Sequence, residues 1–452
     1  MFERVFKLSE HKTTVKTEVM AGITTFMTMA YILAVNPSVL GSTGMDTTAV
    51  LLATALASCL GTLCMAFMAN LPFALSAGMG LNAFMAYTVV AGYGYSWQVA
   101  LLAVFIEGLI FIVLSLTNIR EAIFNAIPLT LKKGVSVGIG LFIAFIGLQN
   151  SGLCVDSATL VGIISFPENF HTAGICALLT LIGLFFTAVF YTRKMKGAIL
   201  YGILLTWILG MICQVTGLYV PTPDAGFYSL FPSWGMTDFS KLGLTFGQCF
   251  NVDFSAVGIV NFIVVIFSFL FVDIFDTLGT LIGVATKAKM LDKDGKLPGI
   301  KPALMADSIA TSAGAILGTS TTTFVESASG VAVGGRTGLT ALVTGILFLV
   351  STLFAPIFTA IPSFATAPAL IMVGFLMVGT VTEINFDLDN LTESIPAYLA
   401  IIAMPLFYSI SEGISLGVIS YVLLNVAAGK GKKVAPLMYV LAVLFVLKYI
   451  FL

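Results

Sequence analysis

Charge is what this chain has least of. Asp, Glu, Lys and Arg make up 10% of its 452 residues against 58% hydrophobic, and mean hydropathy is +1.05. A soluble domain is nearer a quarter charged, so the composition excludes a water-soluble enzyme and specifies a polytopic membrane protein; no nucleic-acid partner is expected. Histidine is nearly missing: His11 and His171 are the only two, both outside the apolar runs. That excludes a multi-histidine metal site and a histidine proton relay within the membrane. The six cysteines, Cys59, Cys64, Cys154, Cys176, Cys213 and Cys249, form no CxxC pair and read as structural thiols. The first 17 residues are charged and hold no long apolar core, so no cleavable signal peptide is expected. There is no HExxH and no usable GxSxG nucleophile, and neither a cofactor nor a metal is expected.

What the chain does have is apolar runs. A window of about 20 residues finds them at 18–38, 49–69, 73–92, 97–117, 134–152, 172–191, 197–219, 256–285, 301–317, 320–336, 337–356, 367–383, 395–410 and 413–428. A fifteenth, 434–452, is either a further span or a helix lying in the interface. The runs 395–410 and 413–428 fall below spanning length and read as a pair of short helices.

Basic residues orient these segments. With a cytoplasmic N-terminus and fourteen alternating spans, one side carries Arg4, Lys7, Lys12, Lys16, Arg120, Lys132, Lys133, Arg193, Lys194, Lys196, Lys287, Lys289, Lys293, Lys296, Lys301, Arg336, Lys430, Lys432 and Lys433. Only Lys241 falls opposite, and Lys448 is undecided. The positive-inside rule then puts the N-terminus in the cytoplasm of a multi-pass protein of the bacterial inner, or plasma, membrane. The long loops are 219–255, outside, and 286–300, inside, and the second divides the chain into two halves of seven spans. An odd number in each half gives the halves opposite orientation, which is the inverted-repeat plan of many transporters.

Matching interruptions support the repeat. The third span opens Pro72-Phe73-Ala74-Leu75-Ser76-Ala77-Gly78-Met79-Gly80-Leu81-Asn82, and the tenth opens Gly318-Thr319-Ser320-Thr321-Thr322-Thr323-Phe324-Val325-Glu326. Each starts with residues suited to extended chain and then enters a small-residue helix. Half-strands cannot face lipid, because their backbone groups would go unsatisfied. Crossing at the centre, they satisfy each other and aim two positive helix N-termini into one cavity. A merely glycine-rich packing role is the competing reading.

Five acids stand at membrane depth: Glu107, Asp273, Asp276, Asp307 and Glu326. A charge there costs about 3 kcal/mol or more, so such groups face protein or water and mark pathways. Asp273 and Asp276 are three apart on one helical face, beside Thr277, Gly279 and Thr280. Two close carboxylates do not both ionise in a low dielectric, so one holds a proton, and a protonated carboxyl donates where an ionised one only accepts. Asp276 and Glu326 are therefore assigned to substrate and coupling proton, with Asp273 as a supporting group. Asp307 is expected to pair with a lysine of the 286–301 loop, and Glu107 to make an interhelical hydrogen bond. The amide of Asn82 suits the edge of a heterocycle.

The motifs AGITTFMTMAYILAVNP (21–37), SAGMGLNAF (76–84), GVSVGIGLFIAFIGLQNSG (134–152), FVDIFDTLGTLIGVA (271–285) and TSTTTFVESASGVAVGGRTGLT (319–340) resemble the AzgA-like purine permease branch of the nucleobase–cation symporter-2 family over nearly the whole chain. The resemblance implies an all-α, UraA-like fold of fourteen transmembrane segments as 7+7 inverted repeats, with discontinuous helices and short strands in segments 3 and 10. It divides the chain into a cytoplasmic segment 1–17, a core domain (18–117 and 256–356), a gate domain (118–219 and 357–428), an outer loop 220–255 and a basic, apolar tail 429–452. It implies proton-coupled uptake of hypoxanthine, guanine or adenine by alternating access, and a homodimer. By position the family's substrate contacts fall on Asn82, Asp276 and Glu326, with Thr277, Phe324 and Ser327 beside them. Asp273 is a lesser candidate for proton coupling. Tyr31, Phe84 and Phe324 could stack on a planar base, although plain packing competes for each. Histidines that some relatives use in spans one and eight are replaced near Thr28 and Thr280, which leaves coupling to carboxylates.

An anion carrier of the same fold would also use facing half-helix N-termini, but two acids beside the site favour a neutral heterocycle. A channel would need polar residues lining a continuous path, and here they are few and localised.

Overall fold

The computed structural model describes residues 2–451 apart from 118–125, 158–159, 224–225, 233–234, 254–256, 288–289, 291–296, 325–326 and 388. For residues 260, 275–276, 278–280, 282–284, 286–287, 328 and 451 it describes the backbone alone. Glu326 and the side chain of Asp276 therefore lie outside the described residues.

Every one of the fourteen apolar runs contains helix. Among the described residues nine helical stretches are long and apolar enough to cross a bilayer, from Val15–Gly41 to Ile410–Ala427. Shorter pieces, Met79–Gly92 and Leu391–Leu406 among them, fill the remaining places. The first span breaks at Ala30–Tyr31 into Val15–Met29 and Ile32–Gly41. Of the pair read as short, Ile410–Ala427 is instead long and apolar enough to cross, because its helix starts at the Ser409 cap, before the apolar run. It forms a hairpin with the shorter Leu391–Leu406, turned at Tyr408 with φ +54° and capped by the Ser409 hydroxyl on the Glu412 amide.

Each loop contact joins connections that alternating spans place on the same face. On one face Lys133 meets Glu383 at 3.3 Å, and Asn70 donates to the Phe6 carbonyl and accepts from the Gly338 amide. On the other, Lys241 meets Asp46 at 3.2 Å and the Val220 amide bonds the His171 carbonyl. These are called below the lysine-rich and lysine-poor faces. One connection differs from expectation: residues between spans five and six form a hairpin, Cys154–Ser157 paired antiparallel with Leu160–Ile163. Its alternating Val155, Val161 and Ile163 carry the β-branched bias that favours strand.

The helices pack as two sets. Thr47–Cys64 lies against Ile32–Gly41, Ile300–Leu317 and Gly338–Ser351; Trp97–Leu116 lies against Ile300–Leu317 and Ile259–Lys287. Separately, Leu129–Asn150 packs on Ser363–Val378 and Leu391–Leu406, and Ile175–Thr192 on Ala198–Val215 and Ser363–Val378. Within each set glycine permits close approach, since lipid offers no hydrophobic drive to bring helices together. A Cβ on Gly108 would sit 2.3 Å from the Ser312 hydroxyl, and one on Gly140 would sit 2.7 Å from the Gly374 carbonyl.

The interrupted spans meet at the centre. Ser76–Ala77 pairs antiparallel with Thr322–Thr323, in the register Ser76 to Thr323 and Ala77 to Thr322. The Gly78 amide adds a bond to the Thr321 carbonyl at 3.0 Å. The half-helices Met79–Ala83, continuing as Phe84–Gly92, and Ala328–Val333 lead away in opposite directions.

Candidate functional site

Two-residue strands leave most of their backbone groups without a ladder, and hydroxyls of neighbouring spans complete them. The Thr62 hydroxyl accepts from the Leu75 amide at 3.0 Å and donates to its carbonyl at 3.1 Å. Ser58 bonds Ser76 at 2.9 Å. In the other half the Thr311 hydroxyl, at 3.4 Å, accepts from the Thr322 amide. The second span of each half thus supports that half's own strand.

Buried acids grip the second strand. Thr321 donates to Glu107 at 3.2 Å and Thr322 to Asp307 at 3.3 Å; both acids are fully buried. The sequence predicts a bond from helix to helix for Glu107; Thr321 lies instead in the extended approach to the strand. Asp307 holds a strand threonine, and most of the lysine-bearing loop expected to face it lies outside the described residues. Asn36, to which sequence reasoning gave no role, donates to Thr54 at 2.7 Å and Thr319 at 2.9 Å, tying the first span to the approach of the second strand. An amide inside an apolar run was the signal for it.

The helix Ile259–Lys287 lies against Met79–Ala83, Thr322–Thr323 and Ala328–Val333 together. The fold thereby gathers at one place the elements bearing Asn82, Asp273, Asp276, Thr277, Phe324 and Ser327. Asp276 lies on this helix by its backbone. Asp273 is fully buried and accepts from Thr277, one turn on. Ser327 is a tie between the half-segments: its hydroxyl accepts from the Ala74 amide and donates to the Ala74 carbonyl, each at 3.0 Å. Phe324 is completely buried, and Phe84 packs edge-on against Phe269 with ring centroids 5.0 Å apart. Thr28 reaches Ser329 at 2.6 Å, joining the first span to the second half-helix.

Among the described residues Asn82 has two side-chain atoms without a hydrogen-bond partner, where Asn36 (its Oδ1), Ser320 and Thr323 each have one. Asn82 is fully buried in the first turn of its half-helix, and among the described residues neither its amide nitrogen nor its oxygen has a hydrogen-bond partner. A buried polar group left so costs roughly 1–3 kcal/mol, and native proteins rarely keep one without a use. Its amide can donate twice and accept twice, which is the pattern that reads a heterocycle edge.

Comparison with known proteins agrees with the architecture. A family model described as "Permease family" matches residues 16–446. The guanine/hypoxanthine permease PbuG of Bacillus subtilis is 46% identical over 458 residues, covering 99% of each chain. The adenine permease AdeP of Escherichia coli is 41% identical over 457 residues, covering 100% of this chain and 96% of the other. The transmembrane domain of the cyanobacterial bicarbonate transporter BicA superposes with a TM-score of 0.59 at 15% identity over 90% of this chain and 97% of the other, a likeness of fold alone. With its matched half-strands and a family match spanning almost all its length, the chain belongs to the nucleobase–cation symporter-2 family of membrane permeases, in its AzgA-like branch.

Proposed function

We propose that this permease imports purine nucleobases by proton symport, binding the base where the two half-helices meet the helix Ile259–Lys287. The observation that carries this reading is Asn82, a buried amide whose hydrogen-bonding capacity is unused among the described residues. A purine presents both donors and acceptors along its edge and can fill that capacity, whereas a simple anion offers acceptors only. The relatives named for guanine, hypoxanthine and adenine support the substrate class. Asp276 and Glu326 are assigned to base and coupling proton, with Asp273 behind Asp276. A carboxyl that donates only when protonated makes base binding depend on the proton, as symport requires. Thr277, Phe324 and Ser327 complete the surroundings.

The two helix sets act as core (18–117 with 256–356) and gate (118–219 with 357–428). The site is exposed to either face in turn by movement of one against the other. The lysine-rich face, with the N-terminus, is cytoplasmic. The test is uptake of radiolabelled hypoxanthine in purine-uptake-deficient cells, in competition with a purine and pyrimidine panel, with and without a protonophore. Purines compete and the protonophore abolishes accumulation if the reading holds. Inhibition by uracil alone overturns the substrate, and indifference to the protonophore overturns the coupling.

A further inference from the structure

The last apolar helix, Pro436–Phe451, lies outside the fourteen-span repeat, yet it carries a buried cation. Lys448 is 4% exposed; its Nζ donates to Glu412 at 2.5 Å and to the Ser411 hydroxyl at 2.9 Å. Tyr449 donates to the other oxygen of Glu412. Ser411 in turn meets the hydroxyl of Ser268 at 3.0 Å. Ser268 is on the helix Ile259–Lys287, five residues before Asp273, whereas Ser411 and Glu412 open the helix Ile410–Ala427. One turn before Lys448, Phe445 packs its ring against Phe267 and Phe271 of the same site helix, with centroids 5.8 and 5.5 Å away.

Two further bridges join the same pair of helix sets toward the same, lysine-poor face. Tyr87, on the half-helix that follows Asn82, exchanges hydrogen bonds with Asn150 at 3.0–3.3 Å, at the end of Leu129–Asn150. Thr88 donates to the Tyr408 carbonyl at 3.2 Å, and the Tyr87 ring meets the Tyr408 ring edge-on. We propose that Lys448 is a positioning residue of a clasp that holds the lysine-poor side of the path shut: through Glu412 and Ser411 it pins the opening turn of Ile410–Ala427 to Ser268.

The physical argument is one of selectivity. An apolar helix needs no buried ammonium to pack against apolar neighbours, and burying one is costly unless it is paired and hydrogen-bonded. Placed at the junction of two sets that move apart, the pair stabilises one arrangement and is strained or hydrated in the other. A contact shifts a conformational equilibrium only by such a difference. The C-terminal helix is then part of the gate's mechanism.

This rests on the alternating-access reading but is testable without any purine. Thr88→Cys, in the full-length chain in proteoliposomes, places a thiol inside the clasp, and a membrane-impermeant maleimide applied from the lysine-poor face reports opening. Labelling of the peptide carrying position 88 is read by mass spectrometry. Lys448→Met raises the labelling rate by about three-fold or more, as a small shift toward the open arrangement requires, and Lys448→Arg leaves it near the parent rate. If an unpaired Glu412 prevents folding, Lys448→Met with Glu412→Gln removes both charges and gives the same rise. Unchanged labelling in a folded Lys448→Met or double variant overturns the clasp. Failure of the parent to take up purine overturns the transport reading and leaves the labelling result to stand by itself.

Discussion

Ser76 faces Thr323 across an antiparallel ladder only two residues long, and the two residues belong to opposite halves of the chain. That pairing fixes where both half-helices begin and therefore where Asn82 sits. It leaves two spans interrupted at one place, which is where the substrate is proposed to bind.

The unused amide of Asn82 predicts a separation of stability from binding. Asn82→Leu keeps the same branched side-chain skeleton and removes a buried polar group that has no partner among the described residues, so the thermal midpoint of the purified, ligand-free protein is expected to hold or rise. Purine affinity is expected to fall by about ten-fold or more, equivalent to about 1.4 kcal/mol. Thermal unfolding and equilibrium binding on the same preparation decide the matter; a large fall in both would make Asn82 structural.

The acids predict a loss of coupling. Asp276→Ala and Glu326→Ala, each folded by size-exclusion and thermal criteria, are expected to abolish accumulation of purine against a gradient. The measure is uphill uptake in energised vesicles. A folded double variant that still concentrates purine would refute the assignment.

The second half-helix predicts a steric cycle. A Cβ on Gly330 would lie 2.0 Å from the Thr25 hydroxyl. Gly330→Ala is expected to destabilise by about 1–3 kcal/mol through overpacking. Thr25→Ala in the same chain removes that oxygen and should recover much of the loss, visible as non-additive thermal midpoints.

Glu18 predicts a capping loss. It is fully buried, and its carboxylate accepts from the amides of Arg336, Thr337 and Thr340 at 2.9–3.3 Å and from the Thr340 hydroxyl at 2.6 Å. An acid there satisfies the open amides at the start of Gly338–Ser351 and complements its dipole. Glu18→Ala is expected to cost roughly 1–3 kcal/mol, and Glu18→Gln less, since one carbonyl oxygen remains. Denaturation midpoints of the two variants measure the difference.

The sequence made some of this legible. The run Thr321–Val325 is β-branched or aromatic throughout, and the glycines near Met79 weaken helix at the matching place, so the crossing could be expected before either strand was seen. Asp273 and Thr277 could be placed on one face by helical spacing alone. Glu18 was not legible as a cap, because its partners lie more than three hundred residues away and nothing local announces the meeting. The same holds for Asn36 with Thr319, and for Lys448, whose basic charge fits either face until Glu412 is brought beside it. The hairpin at 154–163 leaves little trace in the sequence because its alternation is short. Local pattern reports local structure; partners set by tertiary packing leave no periodic trace.

The two-residue ladder also bears on how the chain is made. When Ser76 and Ala77 leave the ribosome, the strand that will satisfy them is roughly 250 residues from being synthesised, which at 5–20 residues per second is on the order of ten seconds to a minute. Until then the nascent third span carries open backbone groups that lipid cannot satisfy. The first half must therefore wait, sheltered by water, the insertion machinery or its own neighbouring hydroxyls. Agents that stall translation between the halves should leave it exposed to membrane quality control.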